Sequence, residues 1–261
     1  MKRRDFLKTA TISIASISAL PCISLLNSSL PGSTAMAENY CPSVEDVLAY
    51  FDNNVSGERK VWEDHYGKET AEDILSKARE EIILLAPAMP CIPDEHNSLK
   101  GAYVELAKYL VQKEYTKKVE DIASIQNEAL AYLAFNIPWI YRFMNSFAWF
   151  TKSNIEAVKE NCLQSQKREY TNNWVSVFVE GDGKTFAYGY DIYECPAVNC
   201  FPRHNGEEFT KYVCSCDDIL SDAFGHGLKR ISTIARGADI CDFRYTWQFP
   251  RLLPRSNYLP E

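Results

Sequence analysis

Nine cysteines punctuate this chain of 261 residues, and five of them, Cys195, Cys200, Cys214, Cys216 and Cys241, crowd into its last quarter. Three chemistries use thiols at such density. In an oxidising compartment the default is disulfides, and the eight cysteines other than Cys22, which falls in the N-terminal leader described below, allow 105 full pairings, so the connectivity stays open. A metal or iron–sulfur site is the second reading. Its candidate ligands are Cys195, Cys200, Cys241 and His204, with His226 nearby, although the spacings C-x4-C and C-x-C differ from the paired C-x2-C of a zinc ribbon. The third is a catalytic thiolate, which needs a helix N-terminus or a cation to lower its pKa. Cys216 stands just before a predicted helix at Asp217 and suits that role.

The polar residues nearby read in two ways each. Asp217 and Asp218 complement a helix dipole, or one of them is a general base. Arg230, beside Lys229 on an expected strand, is a solvated edge residue or a fork for a substrate carboxylate. Asp242 follows Cys241 and precedes Arg244 by two residues, so it pairs with that arginine or acts as an acid/base.

The elements that must position these residues divide the chain. From Cys41 to about Arg168, apolar residues recur every three or four positions, as in helices. Ser43 with Asp46 marks a helix start. A helix over Ala71 to Leu85 stops at Pro87 and Pro90, and Ala86 to Glu95 is a loop. Further helices run from Ser98 to Lys113 and from Val119 to Ile137. An aromatic-rich piece around Trp139, Phe143, Phe147 and Trp149 reads as core, with a ligand pocket as the alternative. Ser153 to Glu156 reads as a capping box opening a helix to Lys167.

After Tyr170 the period changes to two. Trp174 to Val179 and Thr185 to Ile192 are expected strands joined at Gly181-Asp182-Gly183. Helices are expected over Glu207 to Cys214 and Asp217 to Phe224, then strands over Leu228 to Ala235 and Ile240 to Trp247. The fold class is therefore α+β: a helical region over 38–169 packed with an antiparallel four-stranded β-β-α-α-β-β region over 170–261, the two expected to share one core.

The first residues, Lys2-Arg3-Arg4-Asp5-Phe6-Leu7-Lys8, followed by an apolar run from Thr9 to Leu26 and by Ala35-Met36-Ala37, resemble a twin-arginine signal peptide spanning residues 1–37. That leader implies export in folded form, the twin-arginine translocase as a partner, and a periplasmic or other extracytoplasmic site of action. Without it, 224 residues of net charge −10 remain, a balance that argues against a nucleic-acid partner. No later segment has the ~18 unbroken apolar residues of a membrane span.

The ordered set Asn173 to Gly181, Tyr190 to Cys195, Cys214-Ser215-Cys216-Asp217 and Lys229 to Arg244 resembles the L-2-amino-thiazoline-4-carboxylic acid hydrolase family. The resemblance implies a hydrolase that opens a cyclic amidine at a carbon–nitrogen bond, with a small-molecule substrate and no required cofactor. Carried over residue by residue, it points to Cys195, Cys216, Asp217, Cys241 and Asp242 at the site, with Arg230 holding a substrate carboxylate. In the mechanism it suggests, Cys216, or a water activated by Asp217, attacks the amidine carbon. The rival is a non-catalytic module on the same fold that binds a small molecule, a metal or a redox partner.

Overall fold

A computed structural model describes residues 41–92, 98–116 and 118–259. The expected twin-arginine leader lies outside the described residues. The helical half begins where the sequence placed it. Ser43 Oγ accepts from the Asp46 amide and the Asp46 carboxylate accepts from the Ser43 amide, both at 3.1 Å, which opens α1 (Val44–Tyr66) with a capping box. Gly67, at φ +75°, breaks the chain direction before α2 (Lys68–Leu85), and a 3-10 turn at Ala86–Ala88 carrying Pro87 ends it. Then follow α3 (Ser98–Gln112), α4 (Val119–Asn136), α5 (Trp139–Trp149) and α6 (Lys152–Ser165). The N-cap of α6 is Thr151, whose hydroxyl accepts from the Asn154 amide, so Ser153 is a residue of the first turn and the expected capping box is displaced. A Cys41–Cys91 disulfide ties the entry of α1 to the segment beyond α2.

The second half is β1 (Val175–Glu180), β2 (Tyr188–Glu194), α7 (Pro196–Cys200), α8 (Thr210–Val213), α9 (Ser215–Phe224) and β3 (Cys241–Tyr245). The sheet has three antiparallel strands in the order β1-β2-β3, not four. The segment expected to be a strand from Leu228 forms one bridge, Lys229 with Arg244, and then leaves the ladder for a 3-10 turn at Ile234–Arg236. A side chain causes the departure. Asp242 Oδ1 accepts from the Ile231 amide (3.0 Å), the Ser232 amide (2.6 Å) and Ser232 Oγ (2.8 Å), so these donors bond a carboxylate instead of a neighbouring strand. At the β1–β2 connection, Asp182 accepts from the Lys184 and Thr185 amides, and Gly183 takes the positive φ of +69°. The expected helix over Glu207 to Cys214 is a 3-10 turn, Glu207–Phe209, followed by the single turn of α8.

Burial falls into three clusters. One packs α1, α2 and α3 against Phe201, Phe209 and Tyr212, and so draws side chains from both halves of the chain. Another joins Leu130 and Ala134 of α4 to Ile219 and Ala223 of α9. In the last, Trp149, Val158 and Cys162 of α5 and α6 cover one face of β2 and β3. The second cluster fixes α9 against α4 of the helical half.

Candidate active site

Alternation along β2 and β3 turns Tyr188, Tyr190, Cys241, Phe243 and Tyr245 to one buried face, with Tyr190 opposite Phe243 and Tyr188 opposite Tyr245. The Tyr190 and Tyr245 hydroxyls meet at 2.9 Å. Their burial pushes both phenols well above the usual tyrosine range, so both are neutral donors and acceptors. The guanidinium of Arg230 lies 4.8 Å from the centre of the Phe243 ring, and that ring stacks on Tyr190 at 5.0 Å. Arg230 is thus a lid of charge on an aromatic floor.

The first turn of α9 brings two carboxylates to that charge. Arg230 Nη1 donates to Asp217 at 2.6 Å, while Nη2 donates to Asp218 at 3.1 Å and to the Cys214 carbonyl at 2.9 Å. Three of the five guanidinium donors are therefore committed within the protein, and Arg230 is an anchor for carboxylates rather than the open fork expected on a strand. Its side chain is only 7% exposed, against 28% for Asp217, so the solvent-facing group of the pair is the acid. Burial raises the Asp217 pKa above the usual carboxylate value and the adjacent Arg230 charge offsets part of the rise. Asp218 is raised for the same reason, opposed by Arg230 and Arg255. Burial works against the Arg230 charge, but Asp217, Cys214 and Asp218 outweigh it and keep the guanidinium charged.

Three thiols border this pair, close enough for their charges to interact with one another and with Asp217. Cys195 precedes α7; burial pushes its pKa up to about 11, against the Val198 and Ala197 amides that favour the thiolate. Burial also raises Cys214, despite Arg230, and Cys241, despite the Ile234 amide at 3.2 Å. These are protonated thiols at neutral pH. Cys216, the residue before Asp217, places its Sγ 3.9 Å from Asp217 Oδ1.

The structure brings Cys195, Cys216, Asp217, Arg230 and Cys241 together and sends Asp242, Cys200 and His204 elsewhere. Asp242 faces away from Cys241 along β3 and does not pair with Arg244, which bonds Asp191 at 2.7 Å; its carboxylate is the cap described above. Cys200 is packed in the helical core near Tyr103, and His204 sits edge-on to the same ring at 6.1 Å. Cys200 and His204 therefore cannot share a metal with Cys241. Among the described residues no group of three or more His, Cys, Asp and Glu is placed to hold a metal ion. His226 is buried flat against Trp149 at 4.0 Å, bonded to Asn145 at 3.2 Å; burial lowers its pKa to about 3, so it is a neutral packing group. The residues missed from the sequence are Tyr190, Phe243 and Tyr245, for which the only signal was the shared parity of aromatics on paired strands. A cleft of about 300 Å³ between α4 and the C-terminal tail contains none of the site residues, although its Arg255 lies close enough to Asp218 for their charges to interact.

A helix-rich α+β protein with a buried arginine–carboxylate pair over an aromatic sheet face is the class these features define. The chain belongs to the L-2-amino-thiazoline-4-carboxylic acid hydrolase family, whose model matches residues 100–245, more than half of its length. That match reaches back into α3, well before the motifs at Asn173, and includes every residue of the site. No curated protein matches the chain and no solved structure does.

Proposed function

We propose that this protein is an exported hydrolase that opens a cyclic amidine, with Asp217 as the general base. The observation that carries the reading is the Arg230–Asp217 pair: a partly exposed carboxylate, raised in pKa by burial and held by a guanidinium at 2.6 Å, inside the family-matched region. Asp217 takes a proton from water as the water oxygen bonds to the amidine carbon. The ring carbon–nitrogen bond then breaks, the carbon keeps the oxygen as a carbonyl, and both protons of the water end on the leaving nitrogen. The neutral hydroxyls of Tyr190 and Tyr245 supply hydrogen bonds from the floor. Arg230 orients Asp217, and its uncommitted N–H groups are the binding point for a substrate carboxylate. Cys216, beside Asp217, is the alternative nucleophile, whereas the water route needs no thiolate. Cys195 and Cys241 shape the wall, and Asp242 holds the Ile231–Ser232 segment that follows Arg230. Export through the twin-arginine pathway, read from residues 1–37, agrees in chemistry with the Cys41–Cys91 disulfide.

Turnover of a thiazoline carboxylate tests this directly. Asp217→Asn is expected to lower kcat by ~10²-fold or more, with the acid limb of the kcat/KM profile of the parent lying above the usual aspartate pKa. Arg230→Gln removes the stabilising charge and moves that limb to higher pH. Full turnover by Asp217→Asn, with or without a reductant, would sink the assignment. The rival reading, a redox module, rests on the grouping of Cys195, Cys214 and Cys241; it requires that oxidation consume two of these thiols together while hydrolysis is absent.

A further inference from the structure

We propose that α5 and the C-terminal strap form a docking surface for an anionic phospholipid bilayer. The helix has two faces. Arg142, Ser146 and Trp149 point inward, while Ile140, Met144 and Phe147, at the spacing i, i+4, i+7, point out. The strap after β3 lies along the same helix: Trp139 Nε1 donates to the Pro250 carbonyl at 3.1 Å, Arg142 to the Arg251 carbonyl at 2.8 Å and Ser146 Oγ to the Gln248 carbonyl at 3.1 Å. Phe249 stacks on Phe143 at 6.0 Å and meets Trp247 at 4.7 Å. The strap adds Trp247, Phe249, Leu252 and Leu253 to the outward residues of the helix. These seven side chains are between 40% and 75% exposed, a concentration of apolar surface that solvated proteins seldom leave uncovered.

Charge selects the occupant. The whole chain has net charge −7, yet no acidic residue occurs from 137 to 155 or from 243 to 259, whereas Lys152, Arg251 and Arg255 do occur there and are exposed. Asp222, the acid that bonds both Arg251 (3.8 Å) and Arg255 (2.6 Å), balances one of those two charges. An apolar face carrying Trp, Phe and Leu beside basic residues, on a helix lying along the surface, is the pattern of interfacial attachment to anionic lipid. A second copy of the chain fits less well, since a two-fold contact through this patch sets its basic rim against itself. The tilt of charge also favours one orientation, with the acidic remainder of the molecule facing away from the lipid.

The test uses the full chain with vesicles of phosphatidylglycerol and phosphatidylcholine, against vesicles of phosphatidylcholine alone. The parent is expected to co-sediment with the anionic vesicles and to be released as salt rises. Ile140→Ser, Met144→Ser and Phe147→Ser together leave the melting temperature unchanged, because all three side chains are exposed, and weaken binding at least about tenfold. Brominated acyl chains quench tryptophan emission in the parent, and Trp247→Phe removes most of that quenching. Three results each overturn the proposal: no binding by the parent; equal binding by the triple variant, which assigns attachment to another segment; or loss of a dimer in sedimentation velocity with vesicle binding intact, which assigns the patch to a second copy.

Discussion

Cys195, Cys214 and Cys241 lie where a charged sulfur is poorly solvated, and burial is the first cause of the upward shift at each. Asp217 meets the same cost, offset in part by its guanidinium partner, so its pKa stands above the usual carboxylate value and it is the acid of the site able to ionise beside Arg230. The difference is measurable. A thiol raised from an ordinary value of 9.0 to about 11, as at Cys195, holds about 100-fold less thiolate at pH 8. Alkylation followed by peptide mass spectrometry should therefore show Cys195 and Cys214 reacting at least about 100-fold more slowly in the folded protein than in urea. Rates equal in the two states would restore thiolate catalysis. The sign for Asp217 runs the other way in stability and in activity. Its folded pKa is raised, so its ionisation disfavours the fold as pH rises through that value, while catalysis requires the ionised form.

At the scale of elements, the stretch between α9 and β3 decides the site. Gly225, at φ +71°, ends α9, and a Cβ there would meet the Gln248 carbonyl at 2.3 Å, so the chain reverses against the strap without a side chain. Beyond it, Asp242 replaces a strand partner for Ile231 and Ser232 and so leaves Arg230 off the ladder and over Phe243. Burial opposes the Asp242 charge, but the Ser232 and Ile231 donors outweigh it and hold the pKa below the usual carboxylate range. Its stabilisation is complete above the ordinary aspartate value and is lost as pH falls through the depressed one. Asp242→Ala should cost about 1–3 kcal/mol in urea unfolding. It should also lower activity by freeing Arg230, and Asp242→Asn, which keeps an accepting oxygen, should recover most of both.

For the whole molecule, the helical half contains a second charged group that no motif announced. Lys108, 1% exposed, bonds Glu58 at 2.9 Å and Glu105 at 2.6 Å, with its ammonium 5.6 Å from the Trp62 ring. One cation faces two acids. Burial, with Glu58 adding to it and Lys108 opposing it, raises the Glu105 pKa to about 7. Because that folded pKa is raised, stability should fall as pH climbs from the ordinary glutamate range through about 7, and Glu105→Gln should abolish this slope in thermal melts. Lys108→Met leaves Glu58 without its cation and should cost roughly 3–5 kcal/mol in denaturant unfolding; a loss under 1 kcal/mol would contradict this role for the lysine.

The amino-acid order by itself determined the elements whose signals are local. The 3.6-residue period placed α1 to α4, Ser43 and Asp46 set the first cap, and the alternation at Val175 to Val179 and at Phe243 marked strands. The ordered motifs from Asn173 to Arg244 carried the family, which the match over residues 100–245 established. What the order could not carry was anything that depends on residues far apart meeting. The loss of the fourth strand follows from a carboxylate ten residues away, and the separation of Cys200 and His204 from Cys241 follows from which core each element joins. The aromatic block around Trp139, read as core, is buried on one side and open on the other, because only tertiary packing decides which face of a helix finds a partner. Likewise, Arg230 is a fork or an anchor according to whether two carboxylates reach it first, and the fold of α9 delivers both.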